Sequence, residues 1–213
     1  MSGGRLLIHG ASGHGKVVRD TAQASGIWSE YLFFDDRWPA LTSCGTWSVV
    51  GTGESLLARA AEGGKGFVAI GSAASRLAWL ERFRSAGIPL ATLIHPSAVI
   101  SPYAQVGEGA LVVAGAVINV DARLGIGCIV NTAATVDHDC LLGDGVHVCP
   151  GAHLAGDVQV GRASWIGIGS VVLQGVRIGA EVMVGAGAVV VSDVPDGQTV
   201  VGVPARPLKK KRG

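Results

Sequence analysis

Residues 124–154 read LGIGCIVNTAATVDHDCLLGDGVHVCPGAHL, and an aliphatic residue returns at every sixth position: Leu124, Val130, Val136, Leu142, Val148 and Leu154. A period of six fits neither the 3.6 of a helix nor the 2 of a half-buried strand. Carried outward, the same step runs from Ile94 to Val190, and all seventeen positions hold Val, Ile or Leu. Four residues after each stands a small or medium side chain, as at Ala98, Ala110, Cys128, Ser164 and Val182. Glycine often follows the aliphatic position directly, as at Gly107, Gly125, Gly143, Gly161, Gly167, Gly179 and Gly185. Each hexad therefore reads as one short strand and one corner, and three hexads as an eighteen-residue triangular coil. The aliphatic residue points inward and stacks on its equivalents, the small residue fills the space near the corner, and the glycines relieve tight backbone. Seventeen hexads make a little under six coils.

The rest of the chain bounds the function. Of 213 residues, 48% are apolar and 15% charged, enough to bury a sizeable core. A net charge of +1 gives no reason to expect a nucleic-acid partner. The one basic run, Lys209 to Arg212, reads as a solvated tail. No segment resembles a signal peptide or a membrane span, and the four cysteines form no CxxC pair. A reduced cytoplasm is the expected compartment, with no membrane partner.

Residues 1–90 alternate strand and helix. Arg5–His9 reads as a strand, then comes GASGHGK (10–16) and a helix to about Ser25; Tyr31–Phe34 is a second strand ending at Asp35 and Asp36. A third strand, Phe67–Ile70, runs into Gly71-Ser72 and a helix over Ala73–Ala86. This pattern predicts a small parallel α/β sheet that binds a ligand at the carboxyl ends of its strands. A glycine loop opening a helix offers N–H groups to phosphates, and an acid ending the second strand suits a ribose hydroxyl or a base N–H. An NAD-type reading remains as an alternative, although Ser12 stands where the second glycine of GxGxxG belongs.

The hexad array and the closing stretch VGVPAR (201–206) resemble the hexapeptide-repeat acyltransferases. GASGHGK, FFDD and AIGS ahead of such an array narrow the match to the sialic-acid O-acetyltransferase (NeuD) family, which includes N-acetyltransferases of nucleotide-linked 4-amino-4,6-dideoxy sugars. The resemblance implies a Rossmann-like domain over 1–90, then a left-handed parallel β-helix over 91–213. It also implies a homotrimer with acetyl-CoA in the groove between solenoids. By the same resemblance Ser12, Gly13, His14, Asp35, Asp36 and Gly71 contact the nucleotide sugar. His147, Gly156, Ile168 and Ala186 line the acetyl-CoA site, with Ala186 replacing the family's glycine.

Acetyl transfer to an amine needs a base near neutrality and a stabilised oxyanion. His138 sits at the third position of its hexad, facing outward near a corner, with Asp137 and Asp139 on either side to fix a tautomer. The segment NTAATVDHD (131–139) resembles the family's catalytic stretch, which makes His138 the general base and Asp139 the acid that strengthens it. Asn131 could position the sugar or the histidine. Gly156 is 138 + 18, one coil along from His138, and the resemblance makes its amide the oxyanion donor. No metal is expected: the spacing of His138, His147 and His153 does not match the three-His zinc site of a γ-type carbonic anhydrase. No flat outward threonine array suggests an ice-binding surface. O-acetylation of sialic acid stays open beside N-acetylation, and the nucleotide base is not readable.

Overall fold

The computed structural model describes residues 4–59 and 62–208, so the basic run at 209–212 lies outside the described residues. The chain divides into two compact units. One holds the residues up to Pro96 with Glu108–Leu111; the other holds Ser97–Gly107 and everything from Val112 onward.

The first unit is built on three parallel strands, β1 (Gly4–His9), β2 (Trp28–Phe34) and a later one at Lys65–Val68, with β1 in the centre. Leu6, Leu7 and Ile8 of β1 are buried, as a strand covered on both faces must be. Helix α1 (Gly13–Ala24) follows β1, and a thirteen-residue helix follows the Lys65–Val68 strand over Ala73–Ser85. Between them lie a short hairpin, Ser43–Cys44 with Trp47–Ser48, and a six-residue helix, Gly53–Ala58. Neither was foreseen. That helix is too short to show a 3.6 period, though Thr52 marks its start by accepting a hydrogen bond from the Ser55 N–H at 3.3 Å. The third strand ends two residues earlier than the hydropathy suggested. Ala69 still donates its N–H to the His9 carbonyl at 2.7 Å, but Ile70 leaves the sheet because its carbonyl and that of Gly71 accept from the buried Arg76 guanidinium, at 2.8 and 2.7 Å.

The second unit is a parallel β-solenoid of about six turns. From Val99 to Val190 the strands are two residues long and pair at a spacing of eighteen residues: Val117 with Thr135, Thr135 with His153, His147 with Trp165. From Val112 to Val190 each sixth residue is buried. Removing one such branched side chain from water is worth about 1.5–3 kcal/mol, and the stack repeats this coil after coil. The array fades at its beginning: Ile94 is 40% exposed, and Ile100 and Val106 are only partly buried. The inward role expected of Ile94 therefore fails. The eighteen-residue register also ends late in the chain, where Ile178 bridges Val194 and Met183 pairs with Thr199, sixteen residues on. The chain then turns back antiparallel, Val201 against Arg206.

The glycines after the aliphatic positions do a different job from the one expected. None of them has a positive φ; the left-handed residue is two positions later, as at Gly115, Gly127 and Gly145, and equally at Asp121, Ala133 and Asp139. Gly107 and Gly143 instead meet the next coil: a Cβ on Gly107 would lie 2.6 Å from the Gly125 carbonyl, and one on Gly143 2.7 Å from the Arg162 nitrogen. They permit close stacking of backbone on backbone, whereas the left-handed corner tolerates aspartate and even alanine.

Candidate active site

Corners bearing the same hexad position line up in ladders along the solenoid. One ladder holds Val120, His138 and Gly156, tied by the Asp139 N–H to the Val120 carbonyl at 3.1 Å and the Asp157 N–H to the His138 carbonyl at 2.9 Å. His138 is outside the core, its side chain 55% exposed. Its Nδ1 lies 2.7 Å from Asp139 Oδ2. An ionised carboxylate only accepts, so Nδ1 carries the proton and Nε2 keeps its lone pair. The Asp139 hydrogen bond is the main cause of a His138 pKa raised above the usual imidazole value, with Asp137 and Asp157 adding to it.

Asp137 turns the other way. Its Oδ1 accepts from the His138 N–H and from Asn119 Nδ2, both at 2.8 Å, which holds the corner and keeps this carboxyl below its ordinary range. Asn119 was missed by the sequence reading; it is 137 − 18, and the coil arithmetic that found Gly156 would have found it.

Gly156 lies directly beneath the imidazole. A Cβ there would overlap Cε1 and Nε2 of His138, and the glycine's φ is not in the left-handed region, so the ring and not the torsion requires glycine. Among the described residues its N–H donates to no protein acceptor, while its carbonyl accepts from the Gly175 N–H at 3.0 Å.

The remaining solenoid candidates lie on the preceding corner and the face that leads into it. Thr132, Pro150 and Ile168 stack there, with Ala186 next in the series; Ile168 is 56% exposed and Ala186 is exposed. Asn131 bonds His147, not His138: Nδ2 approaches His147 Nε2 at 3.1 Å, while Oδ1 accepts the Thr132 N–H at 2.8 Å. With its oxygen so committed, the amide offers N–H to His147, so Nε2 of His147 is the acceptor and Nδ1 holds the proton. His147 is only 5% exposed and packs edge-on against Trp165, ring centres 4.3 Å apart. Within one chain, then, the structure groups His138, Asp139 and Gly156 at one corner, and Asn131, His147, Ile168 and Ala186 at another. A cavity of about 720 Å³ along the face from Arg123 to Arg177 contains none of them.

In the first unit a cavity of about 350 Å³ opens at the carboxyl ends of the strands, lined by His9, Gly10, Ser12, Asp35, Asp36, Arg37 and Gly71 among others. Gly13 and His14 are not in its lining. His14 is mostly buried, and burial together with Arg76 lowers its pKa to about 4. Asp35 does not offer itself outward as the sequence suggested. It is 8% exposed, and its oxygens accept from the Ala11 N–H (2.8 Å), the Arg37 N–H (3.1 Å) and Arg37 Nε and Nη2 (2.8 Å each). These bonds hold it well below the usual carboxylate range. Asp36 is the open acid: Oδ1 accepts from the Gly53 N–H at 2.9 Å, and Oδ2 lies 3.8 Å from His9 Nε2. Gly10 has φ +110° and a Cβ there would meet the Ala69 carbonyl at 2.6 Å, so the fold needs it. Gly13 and Gly71 have open space around their would-be Cβ and no left-handed φ, so neither packing nor torsion demands glycine there.

All four cysteines are buried, and none forms a disulfide. Desolvation pushes Cys140 up to about 11 and Cys149 to about 12, which leaves almost no thiolate at neutral pH. Native protein held with iodoacetamide at pH 8 should gain less than one carbamidomethyl group per chain by intact mass, and four after unfolding. Rapid labelling of Cys140 or Cys149 in the folded state would restore a thiol nucleophile to consideration.

Comparison with known proteins gives a separate family match in each unit. Residues 5–83 match the PglD N-terminal domain family, and 157–192 match the bacterial transferase hexapeptide repeats. The acetyltransferase domain of PglB from Neisseria gonorrhoeae FA1090, solved with acetyl coenzyme A, is 45% identical with a TM-score of 0.93, covering 97% of this chain and 100% of that one. PerB from Caulobacter crescentus, solved with CoA and GDP-perosamine, is 41% identical with a TM-score of 0.91, covering 97% and 98%. The UDP-N-acetylbacillosamine N-acetyltransferase of Bacillus subtilis (strain 168) is 37% identical over 111 residues; the match spans about half the length of that curated relative and of this chain. Likeness at this level over nearly the full length of PglB's acetyltransferase domain and of PerB places the chain: it belongs to the family of hexapeptide-repeat acetyltransferases that carry a PglD-type N-terminal domain.

Proposed function

We propose that this protein transfers the acetyl group of acetyl-CoA to the C4 amine of a nucleotide-linked 4-amino-4,6-dideoxy sugar, as a step in surface-glycan synthesis in the cytoplasm. The observation that carries the reading is the His138–Asp139 pair poised over Gly156, a base with a fixed tautomer beside an uncommitted backbone amide. His138 Nε2 takes a proton from the amine as the nitrogen bonds to the thioester carbon. The oxygen, now negative, receives the Gly156 N–H, a donor of a kind worth about 3 kcal/mol of barrier. The C–S bond then breaks, and the proton passes from the imidazole to the departing sulfur. Burial that raises Cys140 and Cys149 leaves neither a ready thiolate nucleophile, which favours direct transfer.

The nucleotide is held by the first unit. Support comes from Gly13 and Gly71, glycines that the fold does not require, beside a cavity with an open acid at Asp36. The split of candidates between two corners favours a site completed by a second copy, as in a trimer: His138 and Gly156 from one protomer, with Ile168, Ala186 and the Asn131–His147 pair from its neighbour. In this arrangement the exposed Ile168 and Ala186 face acetyl-CoA, and the part-buried Asn131–His147 pair braces that face from within. O-acetylation of a sialic acid uses the same base, but a free sugar acid gives the nucleotide cavity nothing to do.

The test is CoA release with UDP-, GDP- and dTDP-linked 4-amino-6-deoxy sugars, alongside free sialic acid. Turnover with at least one nucleotide-linked amine and none with sialic acid is expected. Turnover of sialic acid alone overturns the reading.

A further inference from the structure

Arg37 is the one cation among the residues lining the cavity of the first unit, and its geometry is unusual for a surface arginine. Nε and Nη2 form a two-pronged pair with Asp35, each bond 2.8 Å, yet the side chain remains 60% exposed. Asp35 is itself fixed from the other side by the Ala11 N–H of the glycine loop. Both oxygens of Asp35 are thus occupied twice over, by Ala11 N–H and Arg37 Nη2 on one and by the Arg37 N–H and Nε on the other. It has little accepting capacity left for a ligand. What it does instead is lock the guanidinium plane in place. Among the described residues the remaining nitrogen, Nη1, donates to no protein acceptor.

Charge points the same way. The cavity carries two carboxylates, Asp35 and Asp36, against this single guanidinium. Without Arg37 the charges left in the lining to meet a diphosphate would be the two carboxylates, across a few ångströms where solvent screening is weak. Ser12, which lines the cavity, is the N-cap of the twelve-residue α1. Its side chain makes no capping bond, and no acid sits in the first turn to compete with an anion.

Resting on the nucleotide-binding reading given above, we propose that Arg37, held planar by Asp35, positions and charge-balances the diphosphate of the nucleotide sugar. Asp35 then acts through the arginine, and the arginine touches the substrate. A guanidinium fork fixed in this way presents its free edge to phosphate oxygens without loss of side-chain freedom, which a lysine cannot do.

The experiment compares wild type with Arg37→Met and Arg37→Lys, using UDP, GDP, dTDP, uridine, guanosine and thymidine as calorimetric probes and the CoA-release assay for turnover. With the diphosphate that wild type binds, Arg37→Met should weaken affinity at least about tenfold and raise KM for the nucleotide sugar by a similar factor. Affinity for the matching nucleoside, kcat, and KM for acetyl-CoA should each stay within about twofold. Arg37→Lys should recover only part of the loss. A merely structural arginine would lower the melting temperature and leave the diphosphate-to-nucleoside affinity ratio unchanged, which overturns the proposal alone. Failure of wild type to bind any of the three diphosphates removes the nucleotide reading of the cavity, and this proposal with it.

Discussion

Replacing His138 by alanine should lower turnover at least about a hundredfold while acetyl-CoA still binds and the melting temperature stays near that of wild type. The side chain is more than half exposed and contributes nothing to the solenoid core, so the fold loses little. Chemistry loses the only base held by a carboxylate in this ladder, and general-base catalysis is typically worth two to four powers of ten. The pH dependence follows from the same bond. His138 accepts a proton only when neutral, and the Asp139 carboxylate stabilises the charged ring, which raises its pKa. The rate should therefore fall as pH drops through that raised value and level off above it. Asp139→Asn removes the largest cause of the shift, so its acid limb should move to lower pH, with a lower plateau because the tautomer is no longer fixed. Turnover of His138→Ala within about threefold of wild type, at saturating substrates, would remove the residue from its role.

Gly156→Ala should be nearly as damaging, and for a steric reason. One methyl group at this position would occupy the space of Cε1 and Nε2 of His138. The backbone torsion at Gly156 suits alanine, and the imidazole that must yield is exposed, so the protein should fold and melt within a few degrees of wild type. The displaced ring no longer keeps Nε2 over the backbone amide, and a misplacement of about 1 Å costs on the order of a hundredfold in rate. The expected signature is a kcat reduced about a hundredfold or more with KM for acetyl-CoA changed far less. A crystal structure of the variant should show the ring rotated away from position 156. An alanine variant with normal kcat would mean that the ring over Gly156 is not the reactive arrangement.

The solenoid was legible because it is repetitive. Each coil from Val112 to Val190 places its aliphatic residue in the same inner environment as the last, so one steric requirement is written fourteen times in one phase. The alignment of Gly156 with His138 followed from the same count. Less legible was the reason for each glycine. The period shows that glycine recurs after the aliphatic position, but only the measured approach of Gly143 to Arg162 shows coil stacking as the cause, with the left-handed corner two residues later. Asn131 illustrates a different limit. Sequence put it near a histidine, and whether its amide met His138 or His147 depended on which neighbouring coil its side chain leaned toward.

The first unit marks the boundary most clearly. Alternating strand and helix, with a glycine loop and an acid pair at strand ends, determined a small parallel sheet and the end of it where a ligand would enter. The exchange of roles between Asp35, turned inward to brace Ala11 and Arg37, and Asp36, left open beside His9, was decided only by the folded structure. Local and periodic constraints act on neighbours along the chain and leave a pattern there. Partner choice among charged side chains is set by distances between segments far apart in sequence, and a single such choice leaves no repeat to read.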